Sequence, residues 1–164
     1  MKLKVTAFWL VVLAALFIFL QEYSKFHFFF IEQSQLFQFT GEYISEKLAM
    51  PGGFALTLSE FLVQFFIYPY AGAGITAGLL LLTGLGMRGI VRRIAPDTNC
   101  FLLYLIPIVL IMFLHFDFNY LVFGTIAFNM MLCALYFCLC ISTDKWRMIA
   151  EIIITPLLYG LAGT

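Results

Sequence analysis

With 164 residues, 63% of them hydrophobic and only 11% charged, the chain has too little polar side chain to clothe a core facing water. Soluble domains run at about 45–50% apolar and about 25% charged. The formal net charge is zero, so no basic field of the kind that draws nucleic acid exists, and no nucleic-acid partner is expected. The expected class is all-α: a polytopic transmembrane helical bundle of about five spans in the lipid bilayer, with two interfacial amphipathic helices in the first outer loop.

In chain order, Lys2 and Lys4 precede an apolar run, and a helix over residues 3–20 would cover about 27 Å, enough for a slightly short first span. A cleaved signal peptide starts in the same way, but no small-x-small pattern follows Leu20, so a retained span is preferred. Residues 21–32 then bend, lie along the interface or continue as helix, and the sequence leaves the three open. Glu32, Gln35, Gln38, Glu42 and Glu46 share one helical sector, opposite Leu36, Thr40, Tyr43, Ile44 and Leu48. That period predicts an amphipathic helix over 33–49, ended by Met50-Pro51-Gly52-Gly53. Thr57-Leu58-Ser59-Glu60 fits a capping box, opening a second interfacial helix over 57–67.

The second span is expected over 70–87. Within it Gly74 and Gly78 form a small-xxx-small pattern that permits close helix packing, against another span of this chain or a second copy. Gly84-Leu85-Gly86-Met87-Arg88-Gly89 has the spacing of a dinucleotide-binding loop, but that loop needs a strand before it and a helix after it, and here it closes a membrane helix. A turn over 95–99 leads to a third span over 100–115, kinked near Pro107, then a short turn at 116–119. The fourth span runs over 120–142 and the fifth over 148–164. The fifth run ends without a polar flank, so a longer parent chain with further spans is expected. Among the four cysteines, Cys138 and Cys140 point to opposite sides of a helix, Cys133 and Cys140 stand about two turns apart, and Cys100 starts a span, which gives no disulfide framework.

Lys2, Lys4, Arg88, Arg92, Arg93, Lys145 and Arg147 fall on one side of these spans, and Lys25 and Lys47 on the other. The excess of basic residues makes the first side cytoplasmic, with the amino terminus, and turns the 31–69 region and the 115–119 turn outward.

No nucleophile elbow, phosphate-binding loop or zinc spacing occurs. The groups that could carry chemistry are outward carboxylates, most of them solvated interface charge. Glu32 follows an apolar run, and Asp117 lies in a turn so short that its side chain stays at the span ends. Carboxylates at that depth are costly unless paired, hydrated or bound to a cation. Converging, they could act as a general base or hold a divalent metal against a phosphate leaving group. Gln33, Gln35, Glu42 and His115 are the polar groups expected to contact a substrate beside them.

The run IEQSQLFQFTGEYISE, with Pro51-Gly52-Gly53, Gln64-Phe65-Phe66 and Pro69, resembles the amino-terminal region of a bacterial polytopic membrane family of unknown function. The resemblance covers most of the chain and implies a bacterial inner-membrane location but no activity. The layout is also similar to multi-span glycosyltransferases that use lipid-linked sugars. These carry acidic residues in the first outer loop and in the short turn after the third span, places held here by Glu32 and Asp117; the paired acidic motif of those enzymes is absent. The implied function is a glycosyltransferase-like membrane module acting on a lipid-linked sugar at the outer face. The alternative is a non-catalytic scaffold or assembly subunit that docks a partner membrane protein through the interfacial helices.

Overall fold

The computed structural model describes residues 2–96 and 101–163. Every regular element among them is helical. α1 spans Lys2–Tyr23, α2 Lys25–Ser34, α3 Gly41–Leu48, α4 Gly53–Val63 with a 3-10 turn at Gln64–Ile67, α5 Ala71–Ile94, α6 Phe101–Leu114, α7 Val122–Cys140 and α8 Asp144–Ala162. The turn expected at 95–99 and the span start at Cys100 fall largely on 97–100, outside the described residues. Thr164 lies outside them as well.

α5 is the centre of the bundle and touches α1, α6 and α7. Its glycines explain why. A Cβ at Gly84 would come within 2.5 Å of Ile108 and 2.8 Å of Trp9; at Gly86 it would meet Leu132, and at Gly89 Tyr136. Gly84, and less tightly Gly89, are therefore notches that let α1, α6 and α7 close on one helix. The contacts also fix direction. Phe17 meets Tyr70 while Trp9 meets Gly84, so α1 and α5 are antiparallel. Asn129 bonds at Leu79 while Tyr136 meets Gly89, so α7 runs parallel to α5. Phe8 stacks on Phe101 and Phe19 on Phe116, which sets α6 parallel to α1. The Arg93 guanidinium reaches the Cys140 sulfur at 3.5 Å, joining the arginine ends of α5 and α7. Cys133, Cys138 and Cys140 are free thiols.

Three helices are long and apolar enough to cross a membrane: Leu3–Tyr23, Ala71–Ile94 and Val122–Cys140. The first two run past the carboxy-terminal bounds expected from sequence, because the apolar windows end before the helical hydrogen bonding does, and the third is shorter than the expected 120–142 at both ends. α6 has only 14 residues, about 21 Å of helix, and α8 carries Asp144, Lys145, Arg147 and Glu151 in its first half. Leu10, Val11, Ile18, Leu102, Leu110, Ile152 and Ile153 are all exposed, and an exterior of that kind calls for lipid rather than water.

At the end away from the arginines, α2–α4 and the 115–121 turn form a cap. Residues 21–32 resolve into helix, a break at Ser24 and helix again; the bonds Ser24 N–Leu20 O and Phe28 N–Ser24 O carry the helical pattern across. The single helix expected over 33–49 does not form. Gln35 turns extended (φ −123°, ψ 94°), and residues 35–40 run as a strap. Phe37 and Phe39 pin this strap to Phe61 of α4, which outweighs the weak helical period. Thr40, read as part of an apolar helix face, is instead the N-cap of α3: its hydroxyl accepts from the Tyr43 amide.

The second cap helix starts four residues earlier than the capping-box reading puts it. Thr57 is inside α4, where its hydroxyl donates to the Gly53 carbonyl at 2.7 Å. The start is set by the glycines. Gly52 has φ +78°, and a Cβ there would lie 2.9 Å from the Gly163 Cα at the end of α8; at Gly53 a Cβ would run into the Lys47 carbonyl. The Gly52 amide donates to the Gly160 carbonyl at 2.9 Å, tying the hinge to α8. α4 also packs on α7 and α8, burying Ala55 and Val63, so it is part of the bundle and not only an interfacial helix.

Candidate functional site at the cap

Glu60 is the most constrained ionisable group of the cap. It sits on α4 at 7% exposure. Tyr43 and Lys47 lie one turn apart on α3 and so reach the same point. The Tyr43 hydroxyl donates to Oε2 at 2.5 Å, and Lys47 Nζ lies 2.8 Å from Oε1. The Glu60 bond raises the Lys47 pKa against the opposing pull of burial. Burial first, then the bond to Glu60, raises that of Tyr43. α3 itself buries no residue, so this clamp and the ring contacts of Phe37 are what hold it down.

A second polar cluster lies where α6 turns into α7. His115 is buried, with Nε2 2.9 Å from the Thr125 hydroxyl, which is also 3.2 Å from the Tyr120 hydroxyl. His27 of α2 packs its ring on Phe118, 4.8 Å between centroids. Its Nε2 and the Ser24 hydroxyl are buried without a hydrogen-bond partner among the described residues. Burial lowers the His27 pKa, and the charge of Asp117 partly opposes this.

The residues singled out from sequence sit in different settings. Asp117 is exposed, and its Oδ1 accepts from the Asn119 amide at 2.9 Å and the Asn119 side chain at 3.3 Å, closing its own turn. Glu32 is half-buried near the end of α2; its carbonyl accepts from the Gln35 amide, and its carboxylate has no hydrogen bond or ion pair among the described residues. Gln33 is exposed. Gln35 is buried: its amide closes α2, its carbonyl accepts from Gln64 at 3.3 Å, and its Oε1 has no partner among the described residues. Glu42 is exposed at the start of α3, where its carbonyl accepts from Ser45. Of the expected substrate-contacting set, His115 faces inward while Gln33 and Glu42 face out. Among the described residues no group of three or more His, Cys, Asp or Glu side chains is arranged to hold a metal ion. Gly74 and Gly78 stand open: a Cβ at Gly78 meets nothing within 4 Å, and at Gly74 only the Phe17 ring at 3.9 Å. Within the chain the close approaches fall instead at Gly72 and Gly84.

With this geometry in hand, comparison with known families gives one match. A family model described as "Family of unknown function (DUF6057)" covers residues 1–164. The chain belongs to that family. No curated protein and no solved structure matches it. The family description names no activity, so the site must be argued from its own chemistry.

Sequence reasoning missed the Glu60 clamp because it assigned Glu60 to a cap. The available signal was Tyr43 and Lys47 at i, i+4 beside a carboxylate in an otherwise apolar helix. It also missed Asn129, a polar residue in the middle of an apolar run. Its side chain donates to the Leu79 and Thr125 carbonyls at 3.2 and 3.0 Å and accepts from Thr83 at 3.1 Å, joining α5 to α7 inside the bundle.

Proposed function

We propose that this chain is a non-catalytic scaffold of a bacterial inner membrane, docking a partner membrane protein through its cap. On this reading α1, α5, α6, α7 and α8 all traverse the bilayer. The basic residues gathered at one end orient the amino terminus to the cytoplasm and the cap to the outer side. One observation carries the proposal: the buried carboxylate of the cap, Glu60, is committed to Tyr43 and Lys47 and holds α3 and the strap as a fixed surface. That surface presents Leu36 and Phe39, the last 77% exposed. A rigid apolar patch at the membrane boundary suits a protein partner better than catalysis does.

The test is site-specific photo-crosslinking from Phe39 in intact membranes. The expected result is one discrete heavier species, lost when Glu60→Ala frees the strap. Crosslinks to lipid alone, with and without that substitution, would remove the scaffold reading.

A second reading is supported by Glu32, whose half-buried carboxylate, without a partner among the described residues, is what a general base on a lipid-linked sugar requires. Glu32→Gln with Asp117→Asn should then change the glycan composition of the envelope. An unaltered profile discards the glycosyltransferase-like activity and any divalent metal serving it.

A further inference from the structure

We propose that the seam between α1 and α5 binds one anionic phospholipid from the leaflet at the cap end, with its phosphate at Lys25 and an acyl chain in the groove below. This goes beyond the docking role of the cap and rests on different residues. The mouth is a cavity of about 170 Å³ lined by Gln21, Lys25, Tyr68 and Tyr70. Below it, an open apolar groove of about 410 Å³ runs between Leu10, Ala14 and Phe17 of α1 and Gly74 and Ala77 of α5.

The two cavities adjoin along α1 and the start of α5. Leu10, Ala14, Phe17 and Gln21 recur every three or four residues and so share one face of α1. The backbone bonds across Ser24 carry that face on to Lys25. Phe17, in the groove, meets Tyr70, at the mouth, with 6.4 Å between ring centroids. The groove exists because α5 has no side chain at Gly74, where neighbours leave space, in contrast to Gly72 and Gly84, where they fill it.

Charge selects the occupant. Of the two cap-end lysines, Lys47 is neutralised by Glu60, whereas Lys25 has no carboxylate partner among the described residues. It lines the mouth and is exposed there, its ammonium 5.2 Å from the centroid of the Phe26 ring. Tyr68 and Tyr70 are exposed beside it, the placement aromatic residues take at headgroup level. A cation, the Gln21 amide and two phenol hydroxyls above an acyl-sized groove match a phosphate ester on a hydrocarbon chain. Tyr70 also has φ +68°, the one positive φ at a non-glycine residue among those described. Backbone strain of this kind gathers at ligand sites.

The test uses the full chain, purified and exchanged against phosphatidylcholine vesicles with or without phosphatidylglycerol, with retained lipid counted by native mass spectrometry. One phosphatidylglycerol should be retained in preference to phosphatidylcholine. Lys25→Gln should weaken retention about fivefold, the factor expected of one lysine at a charged lipid surface. Gly74→Leu should fill the groove and abolish retention, with circular dichroism checking that the helices persist. Ala14→Leu, from the opposite wall, repeats the test should Gly74→Leu fail to fold. Inorganic phosphate should not displace the lipid, because it has no chain for the groove. Equal retention of the two lipids, displacement by phosphate alone, or undiminished retention in a folded groove-filled variant overturns the proposal.

Discussion

Removal of the Glu60 carboxylate tests the account of the cap most directly. Glu60→Ala deletes two hydrogen bonds to a charged group, each worth about 1.5–3 kcal/mol in a buried setting. The Lys47 side chain is a quarter exposed, so its ammonium regains water when released, and the lower part of the range applies. The net cost is about 2–4 kcal/mol. It falls on α3, which buries no residue of its own, and not on the bundle. Opening of α3 should therefore become about 30- to 700-fold more populated, at about 1.4 kcal/mol per factor of ten. Hydrogen exchange in nanodiscs reads this: amides of residues 41–48 should exchange faster by that factor, while those of α5 and α7 stay protected. The linkage to pH has a definite sign. Lys47 and Tyr43 both have folded-state pKa values raised above their ordinary ones. Their contribution is fully present below about pH 10 and declines as the pH rises through the raised values. Wild-type α3 should loosen in alkali, and Glu60→Ala should lose the Lys47 part of that dependence. Unchanged α3 exchange in Glu60→Ala would refute the clamp.

Three further outcomes follow from the packing. Gly84→Ala, forced against Ile108 and Trp9, should cost about 1–3 kcal/mol in SDS unfolding, whereas Gly78→Ala, with open space around it, should be neutral or stabilise by up to about 1 kcal/mol. Asn129→Leu should destabilise the same transition by about 0.6–2 kcal/mol, the range for hydrogen bonds between helices in lipid. His27, whose pKa burial lowers, holds its contribution above about pH 6.5 and loses it as the pH falls toward the depressed value. α2 exchange should thus accelerate in mild acid, and His27→Phe, which cannot charge, should flatten that response.

The legible part of the candidate site was its location. The polar strip of 31–69 and the short 115–119 turn do come to lie at one end of the bundle, because α1 and α6 run parallel and each is followed by a helix that runs back. Which carboxylate mattered was not legible. Glu32 and Asp117 stood out by closeness to apolar runs, a one-dimensional cue. Glu60 matters because α3 folds back over α4, and that depends on Gly52 adopting φ +78° and on Gly53 leaving room for the Lys47 carbonyl.

By itself the sequence determined the membrane class and the position of the long helices. Both follow from local quantities: apolar content, window length and the need for a backbone in lipid to satisfy its own hydrogen bonds. It also marked the Pro51-Gly52-Gly53 hinge, because turn chemistry is local. Only the tertiary structure decided which glycines of α5 are notches and which are open. A missing side chain has no meaning until the neighbouring surface is known: Trp9 and Ile108 fill the space at Gly84, and nothing fills it at Gly78. The strap at 35–40 was likewise decided by Phe61, over twenty residues away in the chain, whose ring holds Phe37 and Phe39 against a helical period that local spacing alone would have obeyed.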